Sequence, residues 1–197
     1  MNEGERAYWD EQAAAFDEEP DHGLRDPAVR AAWAELLRAR LPPAPAAVVD
    51  LGCGTGSLAV LLAQAGYDVR GLDLSDRMVA AAAAKAATAG VAADFRQGDA
   101  AVPPYPAGSA DVVLARHVLW ALPDPDAALR RWVGLLAPGG VLVLIEGRWS
   151  TGAGIAAGAC RELVLRHRRA AVLERLDDPA LWGHEIDDER YVVVSER

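Results

Sequence analysis

Val48-Val49-Asp50-Leu51-Gly52-Cys53-Gly54-Thr55-Gly56-Ser57-Leu58, continuing as AVLLAQAG to Gly66, is the stretch that decides how this chain folds. The apolar run AAVVDLG (46–52) reads as a buried strand. Gly52, Gly54 and Gly56 follow two residues apart, and an apolar segment with helical character, 57–66, begins at once and stops at Gly66. Glycine permits the sharp turn and lets a ligand approach the backbone with no Cβ in the way. The strand's carboxyl end and the open helix N-terminus then form a crevice at the switch point of a sheet. A second strand, DVRGLDL (68–74), ends in Asp73, about 20 residues on, where an acid can accept hydrogen bonds from both hydroxyls of a ribose. A dinucleotide site needs G-x-G-x-x-G with its last glycine inside the helix. Here Leu58 takes that place and the pattern is D-x-G-x-G-x-G.

The rest of the chain continues the alternation. Residues 75–90 are an alanine-rich helix with Ser75 as N-cap and Gly90 as its stop. Strands follow at 91–99 and 110–118, then a helix over 124–140 closed by a Pro-Gly-Gly turn. A fifth strand is read at 141–147, a helix at about 154–168, and strands at 170–176 and 190–196. Seven strands interleaved with helices predict an α/β sheet covered on both faces. The connection DDPALWGHEIDDE is too irregular for a crossover helix, so the last strand is expected to pair antiparallel. Before the first strand lie an amphipathic helix over 3–17, a loop EEPDHGLRDP and a helix over 28–40. The Pro-rich LPPAPAA (41–47) separates them from the sheet. Residues 1–45 are thus expected to form a helical cover over the site, and 46–197 the main domain.

At this point the chain resembles the class I S-adenosylmethionine (SAM) dependent methyltransferases. VDLGCGTG looks like their first motif, GLDLS with Asp73 their second, RQGDA with Asp99 their third, and the strand from Asp111 through ARHVLWAL their fourth. LAPGGVLVLIE resembles the turn and fifth strand of that fold. The resemblance is close over 46–147 and looser over the remainder. It implies a three-layer Rossmann-like methyltransferase fold, with a seven-stranded, mostly parallel sheet whose last strand is antiparallel. It also implies SAM as cofactor and S-adenosylhomocysteine as product. Carried over, the Gly52, Gly54, Thr55 and Gly56 loop flanks the methionine part and Asp50 holds its amino group. Asp73 binds the ribose, while Leu74 and Met78 pack on the adenine. Asp99, within Gly98-Asp99-Ala100, accepts from the exocyclic amine. Arg116 sits near the sulfonium.

Methyl transfer from a sulfonium is an in-line displacement, so a protein chiefly supplies alignment and a dry pocket. A base is needed only where the acceptor must lose a proton early. His117, after the fourth strand, and His22, in the loop of the cover, are the candidates. Each also has a plain reading: a histidine bonded to nearby backbone, and a solvated loop residue. Tyr8, Phe16, Trp120, Glu146, Arg148 and Trp149 are candidates for the acceptor pocket. Cys53 has no visible base partner and reads as a small loop residue. Asp177, Asp178, Asp187 and Asp188 read as a solvated acidic loop, and no metal site is expected.

The whole chain has 197 residues, a net charge of -9 and Lys85 as its only lysine. Such an acidic balance speaks against phosphate-backbone binding and against anionic lipid. VPPYPAG contains a Pro-Pro-Tyr, but Val102 stands where base-methylating enzymes need Asp or Asn, and the segment precedes the fourth strand. The expectation is a cytoplasmic enzyme acting on a small molecule, with no nucleic-acid or membrane partner, as a monomer or homodimer. The competing readings are a nicotinamide-dependent oxidoreductase, disfavoured by the glycine spacing and the lack of a Tyr-x-x-x-Lys pair, and a SAM-binding protein without turnover.

Overall fold

The computed structural model describes residues 3–196. Its seven strands form one sheet in the order β3-β2-β1-β4-β5-β7-β6. They are β1 (Ala47–Leu51), β2 (Asp68–Asp73), β3 (Asp94–Gln97), β4 (Ala110–Arg116), β5 (Leu136–Arg148), β6 (Val172–Arg175) and β7 (Glu189–Ser195). The pairs β1–β2, β2–β3, β1–β4 and β4–β5 are parallel. β7 runs antiparallel to both β5 and β6. This is the three-layer sheet expected from the sequence, with its reversed last strand.

Strand alternation sorts side chains between the two faces. Val49, Leu51, Val113, Ala115, Leu142 and Leu144 pack with helices α6 (Pro125–Leu135) and α7 (Ala157–Leu165). Val48, Val112, Leu114, Val143 and Ile145 pack with α3 (Pro27–Arg38), α4 (Ser57–Gln64) and α8 (Pro179–Trp182). Helix α5 (Asp76–Ala89) carries the Ser75 cap, whose hydroxyl accepts from Met78 N, and ends at left-handed Gly90. Several boundaries differ from the sequence reading, among them the first helix, read over 3–17, which ends at Gln12 and is followed by a separate short turn at Phe16–Glu18. The Pro-Gly-Gly segment belongs to β5, which starts at Leu136 opposite Ala110 and shifts register before Val112 meets Val141. The loop read at 18–27 contains a one-turn helix, α2 (Pro20–Gly23).

The expected cover divides in two. Helix α1 (Glu3–Gln12) has no buried residue, whereas α3 belongs to the sheet layer. Trp33 of α3 is fully buried, donates its indole N–H to the Leu181 carbonyl at 2.7 Å, and meets Trp182 edge-on at 5.6 Å. Asp26 caps α3 by accepting from Ala28 N at 2.7 Å, and Pro27 opens its first turn, where its missing N–H costs nothing. Trp33→Ala should therefore destabilise the whole chain, by about 3–5 kcal/mol. Urea unfolding followed by far-ultraviolet circular dichroism checks this. A loss below about 1 kcal/mol would show α3 to be a detachable appendage.

Candidate active site

The turn after β1 is held from β2. Gly52 N and Cys53 N both donate to the Leu72 carbonyl, at 2.7 and 3.0 Å. Gly54 N donates to Asp73 Oδ2 at 2.8 Å, and Asp73 Oδ1 accepts from Ser75 N at 2.9 Å. Gly52 and Gly54 have φ of 71° and 54°. A Cβ on Gly52 would lie 2.3 Å from Val118 Cγ2, and one on Gly54 3.1 Å from the Phe16 ring. These two positions therefore need glycine for both conformation and space.

Above this turn lies one cavity of about 390 Å³. Of the residues expected at a cofactor, Asp50, Gly52, Gly54, Asp73, Leu74, Met78, Ala100 and Arg116 line it. Thr55, Gly56, Gly98 and Asp99 do not. Thr55 turns to the cover, donating its hydroxyl to Asp17 and accepting from Lys85 Nζ at 3.0 Å. Gly56 packs on α5, where a Cβ would lie 2.7 Å from that of Ala82. Gly98 N donates to the Asp73 carbonyl at 2.8 Å, and Asp99 Oδ1 accepts from Ala101 N at 2.7 Å.

His22, His117, Phe16, Trp120 and Trp149 also line the cavity, whereas Tyr8, Glu146 and Arg148 do not. Tyr8 is exposed and meets Trp9 edge-on; Trp9, one residue on, takes the place in the wall. Arg148 is exposed at the end of β5. Glu146 is wholly buried and points its Oε1 at Val118 N (3.0 Å) and Leu119 N (2.7 Å), beneath the short turn Leu119–Ala121. It positions the loop that carries His117 and Trp120 rather than facing a ligand. Trp182 lines the cavity from α8; His184, Ile186 and Arg190, which sequence reasoning missed, line it from the following loop and β7.

The cover reaches the cavity through polar ties. Lys85 Nζ pairs with Asp17 at 2.8 Å and reaches Ser57 Oγ at 2.6 Å. Arg116, at the end of β4, donates to the Asp21 carbonyl at 2.6 Å and lies 5.1 Å over the Trp33 ring. Its carboxylate neighbours Asp21, Asp50 and Asp17 partly offset the burial that depresses its pKa. Helix α1 adds Asp10, whose carboxylate accepts from Ser75 Oγ at 2.5 Å.

Burial dominates the titration of the site. It pushes the Asp50 carboxyl up to about 7 against the opposing pull of Arg116, and the Glu146 carboxyl up to about 8 against the backbone N–H groups it accepts from. The Cys53 thiol is pushed well up, so it stays protonated and unreactive. His117 is half-buried, in left-handed conformation at φ 59°, with its backbone N–H donating to the Ile145 carbonyl at 2.8 Å. Burial first, then Arg116, His22 and Arg190, hold its pKa well below the usual imidazole value. His22 stacks on Phe16 at 4.3 Å and is lowered by burial and by Arg116. Both rings are neutral at pH 7.

Glu146 and Asp50 have raised values only when folded. Between pH 9 and pH 7 the folded chain therefore takes up protons that the unfolded chain does not, and stability rises as the pH falls. Urea unfolding should give roughly 1–2 kcal/mol more stability at pH 7 than at pH 9. Glu146→Gln should remove most of that slope. A wild-type profile flat over this range would mean that Glu146 is ionised throughout.

Residues 49–144 match the model of a methyltransferase domain family. The ubiquinone biosynthesis O-methyltransferase of Xanthomonas axonopodis pv. citri is 40% identical over 111 residues, 56% of this chain and 46% of that protein. The demethylmenaquinone methyltransferase of Thermus thermophilus is 37% identical over 108 residues, 54% of this chain and 49% of that one. The chain thus spans about half the length of the curated relatives it matches. Among solved structures, the cyclase SpnF superposes with a TM-score of 0.72 at 22% identity, over 83% of this chain and 80% of that one. A SAM-dependent methyltransferase from Mesorhizobium loti superposes with a TM-score of 0.64 at 22% identity, over 83% and 96%. The structural likenesses show the fold. The matched domain, with the ordered motifs, makes residues 49–144 a class I SAM-dependent methyltransferase domain.

Proposed function

We propose that this chain transfers a methyl group from SAM to a small-molecule acceptor and releases S-adenosylhomocysteine. The observation that carries the reading is the cradle formed by the glycine turn, Asp50 and Asp73 on one cavity wall. The residues present fit that group. The Asp73 carboxylate is fixed by Gly54 N and Ser75 N, and each oxygen has a further lone pair for a ribose hydroxyl. Asp50, poised near pH 7, meets the ammonium group as a carboxylate, and that charge pairing lowers its pKa on binding. Leu74 and Met78 offer apolar surface to the adenine, whereas Asp99, expected from the sequence to accept from its exocyclic amine, stands outside the cavity wall and is turned to Ala101 N. Arg116 faces acids on the cover, so its charge is balanced where a cationic sulfur must be accommodated.

The bound cofactor supplies an electrophilic methyl on a sulfonium. What the chain contributes is alignment and exclusion of water. Phe16, Trp9 and His22 close one side of the cavity; Trp120 and Trp149 wall it from the loops after β4 and β5. A histidine held far below neutral pH is a weak base. His117, so held, serves as a hydrogen-bonding group that orients the acceptor, with His22 on the same cavity, and the acceptor's proton leaves as or after the new bond forms. Two features speak against the nicotinamide reading. Leu58 is buried where a dinucleotide fold requires a glycine, and Lys85 is committed to Asp17. The acceptor is proposed to be small because the site is a cavity of about 390 Å³ lined by aromatic and acidic residues rather than a basic groove. Among the described residues no helix is long and apolar enough to cross a membrane. We place the protein in the cytoplasm, as a monomer or homodimer.

Calorimetric titration with S-adenosylhomocysteine tests the proposal. Micromolar affinity is expected, and Asp73→Ala should weaken it by about 1.5–3 kcal/mol, the range for hydrogen bonds to a charged group. Absence of binding, or binding of NAD in its place, would overturn the reading. Unchanged affinity in the variant would remove Asp73 from the ribose role.

A further inference from the structure

Arg190 lies on β7 opposite Gly147 of β5 and lines the cavity beside two indoles. Its central carbon is 5.1 Å from the Trp149 ring centre and 5.3 Å from that of Trp182. Nη2 donates to Asp188 at 3.2 Å. Nε and Nη1 are buried and have no hydrogen-bond partner among the described residues. On the same wall, the His117 ring lies 5.2 Å from Trp149 and 6.2 Å from Trp182, and its buried Nδ1 is likewise unpartnered. Buried polar atoms are rarely left unbonded, because their desolvation is then uncompensated. Three such atoms, on two residues that line one cavity, call for a polar ligand.

The character of that ligand follows from the wall. Arg190 and Arg116 both raise the positive potential at His117. The acidic partner of Arg190, Asp188, is shared with the backbone N–H of Ser150, so it anchors the Trp149 loop as well as the guanidinium. This is a correction to the sequence reading of Asp188 as part of a solvated loop: its side chain is only 16% exposed, and that of Arg190 12%. Two indoles lie against the guanidinium, while its Nε and Nη1 have no hydrogen-bond partner among the described residues. A guanidinium edge suits a carboxylate, and indoles suit a flat ring.

We propose that Arg190 is the acceptor-recognition residue of this cavity and that the acceptor is a planar aromatic acid. Its carboxylate takes the open N–H groups of Arg190 and its ring lies against Trp149 and Trp182. The assignment rests on the methyl-transfer reading for the ligand's being the acceptor; the anion site itself does not.

Benzoate and its uncharged counterpart benzamide probe the site directly. Tryptophan emission is followed while each is added, up to about 20 mM at neutral pH, where benzoate is ionised, with and without saturating S-adenosylhomocysteine. Benzoate should bind at least about tenfold more tightly than benzamide, a margin suited to a charge-assisted contact. Arg190→Met should bring benzoate down to the benzamide level, with S-adenosylhomocysteine affinity reporting that the variant's cavity is intact. Equal affinities in the wild type, no benzoate binding, or a preference that survives Arg190→Met would overturn the proposal. The wild-type comparison remains decisive if the variant does not fold. If S-adenosylhomocysteine fails to bind while the benzoate preference holds, the methyl-transfer reading falls and the anion site stands; the reverse result removes only the anion site.

Discussion

The hold of β2 on the turn after β1 is the constraint on which the rest of the site depends. One carbonyl, that of Leu72, receives two consecutive N–H groups of the turn, and the next residue, Asp73, receives a third through its side chain. Backbone N–H groups that would otherwise be orphaned ahead of α4 are thereby satisfied. The same contacts fix the carboxylate of Asp73 at the cavity edge. Because β1 and β2 are neighbours in register, Asp50 beside Gly71 and Leu51 beside Leu72, the position of the acid and the shape of the turn are one geometric fact.

The layers around this turn are held by different forces. The sheet is clamped by apolar side chains on both faces and by buried indoles whose N–H groups all reach carbonyls: Trp33 to Leu181, Trp132 to Ala100 and Trp182 to Leu176. Residues 3–23 are held mainly by charge and hydrogen bonds, through Asp10, Asp17 and Asp21 to Ser75, Lys85 and Arg116. Segments with little buried apolar surface open at lower free energy than the core beneath them.

The legible part of the molecule was the part governed by local rules. The β1 turn, the acid ending β2 and the helix caps at Ser75 and Gly90 depend on residues close in sequence. The antiparallel β7 followed from a connection too irregular for a crossover. What escaped notice was created by sheet order. Gly147 and Arg190 are far apart in sequence and adjacent only because β7 inserts beside β5. A signal was present: Arg190 shares the face of Val192, which is buried, while Tyr191 and Val193 face the opposite side. A charge in an otherwise apolar register asks for a partner. Tyr8 and Glu146 failed for the converse reason. Their distance along the chain from the site was right, but helix phase turned Tyr8 outward, and the buried N–H groups of Val118 and Leu119 claimed Glu146.

The cavity is assembled from unequal sources. The cradle comes from the central parallel strands, and much of the opposite wall from segments near the two ends of the chain, with Trp9, Phe16 and His22 before the sheet and Trp182 and Arg190 after most of it. Variation in those flanking segments can remodel what the pocket accepts while the inner strands keep their packing. For directed evolution, this separates the positions worth randomising for new acceptors from those that keep the protein folded.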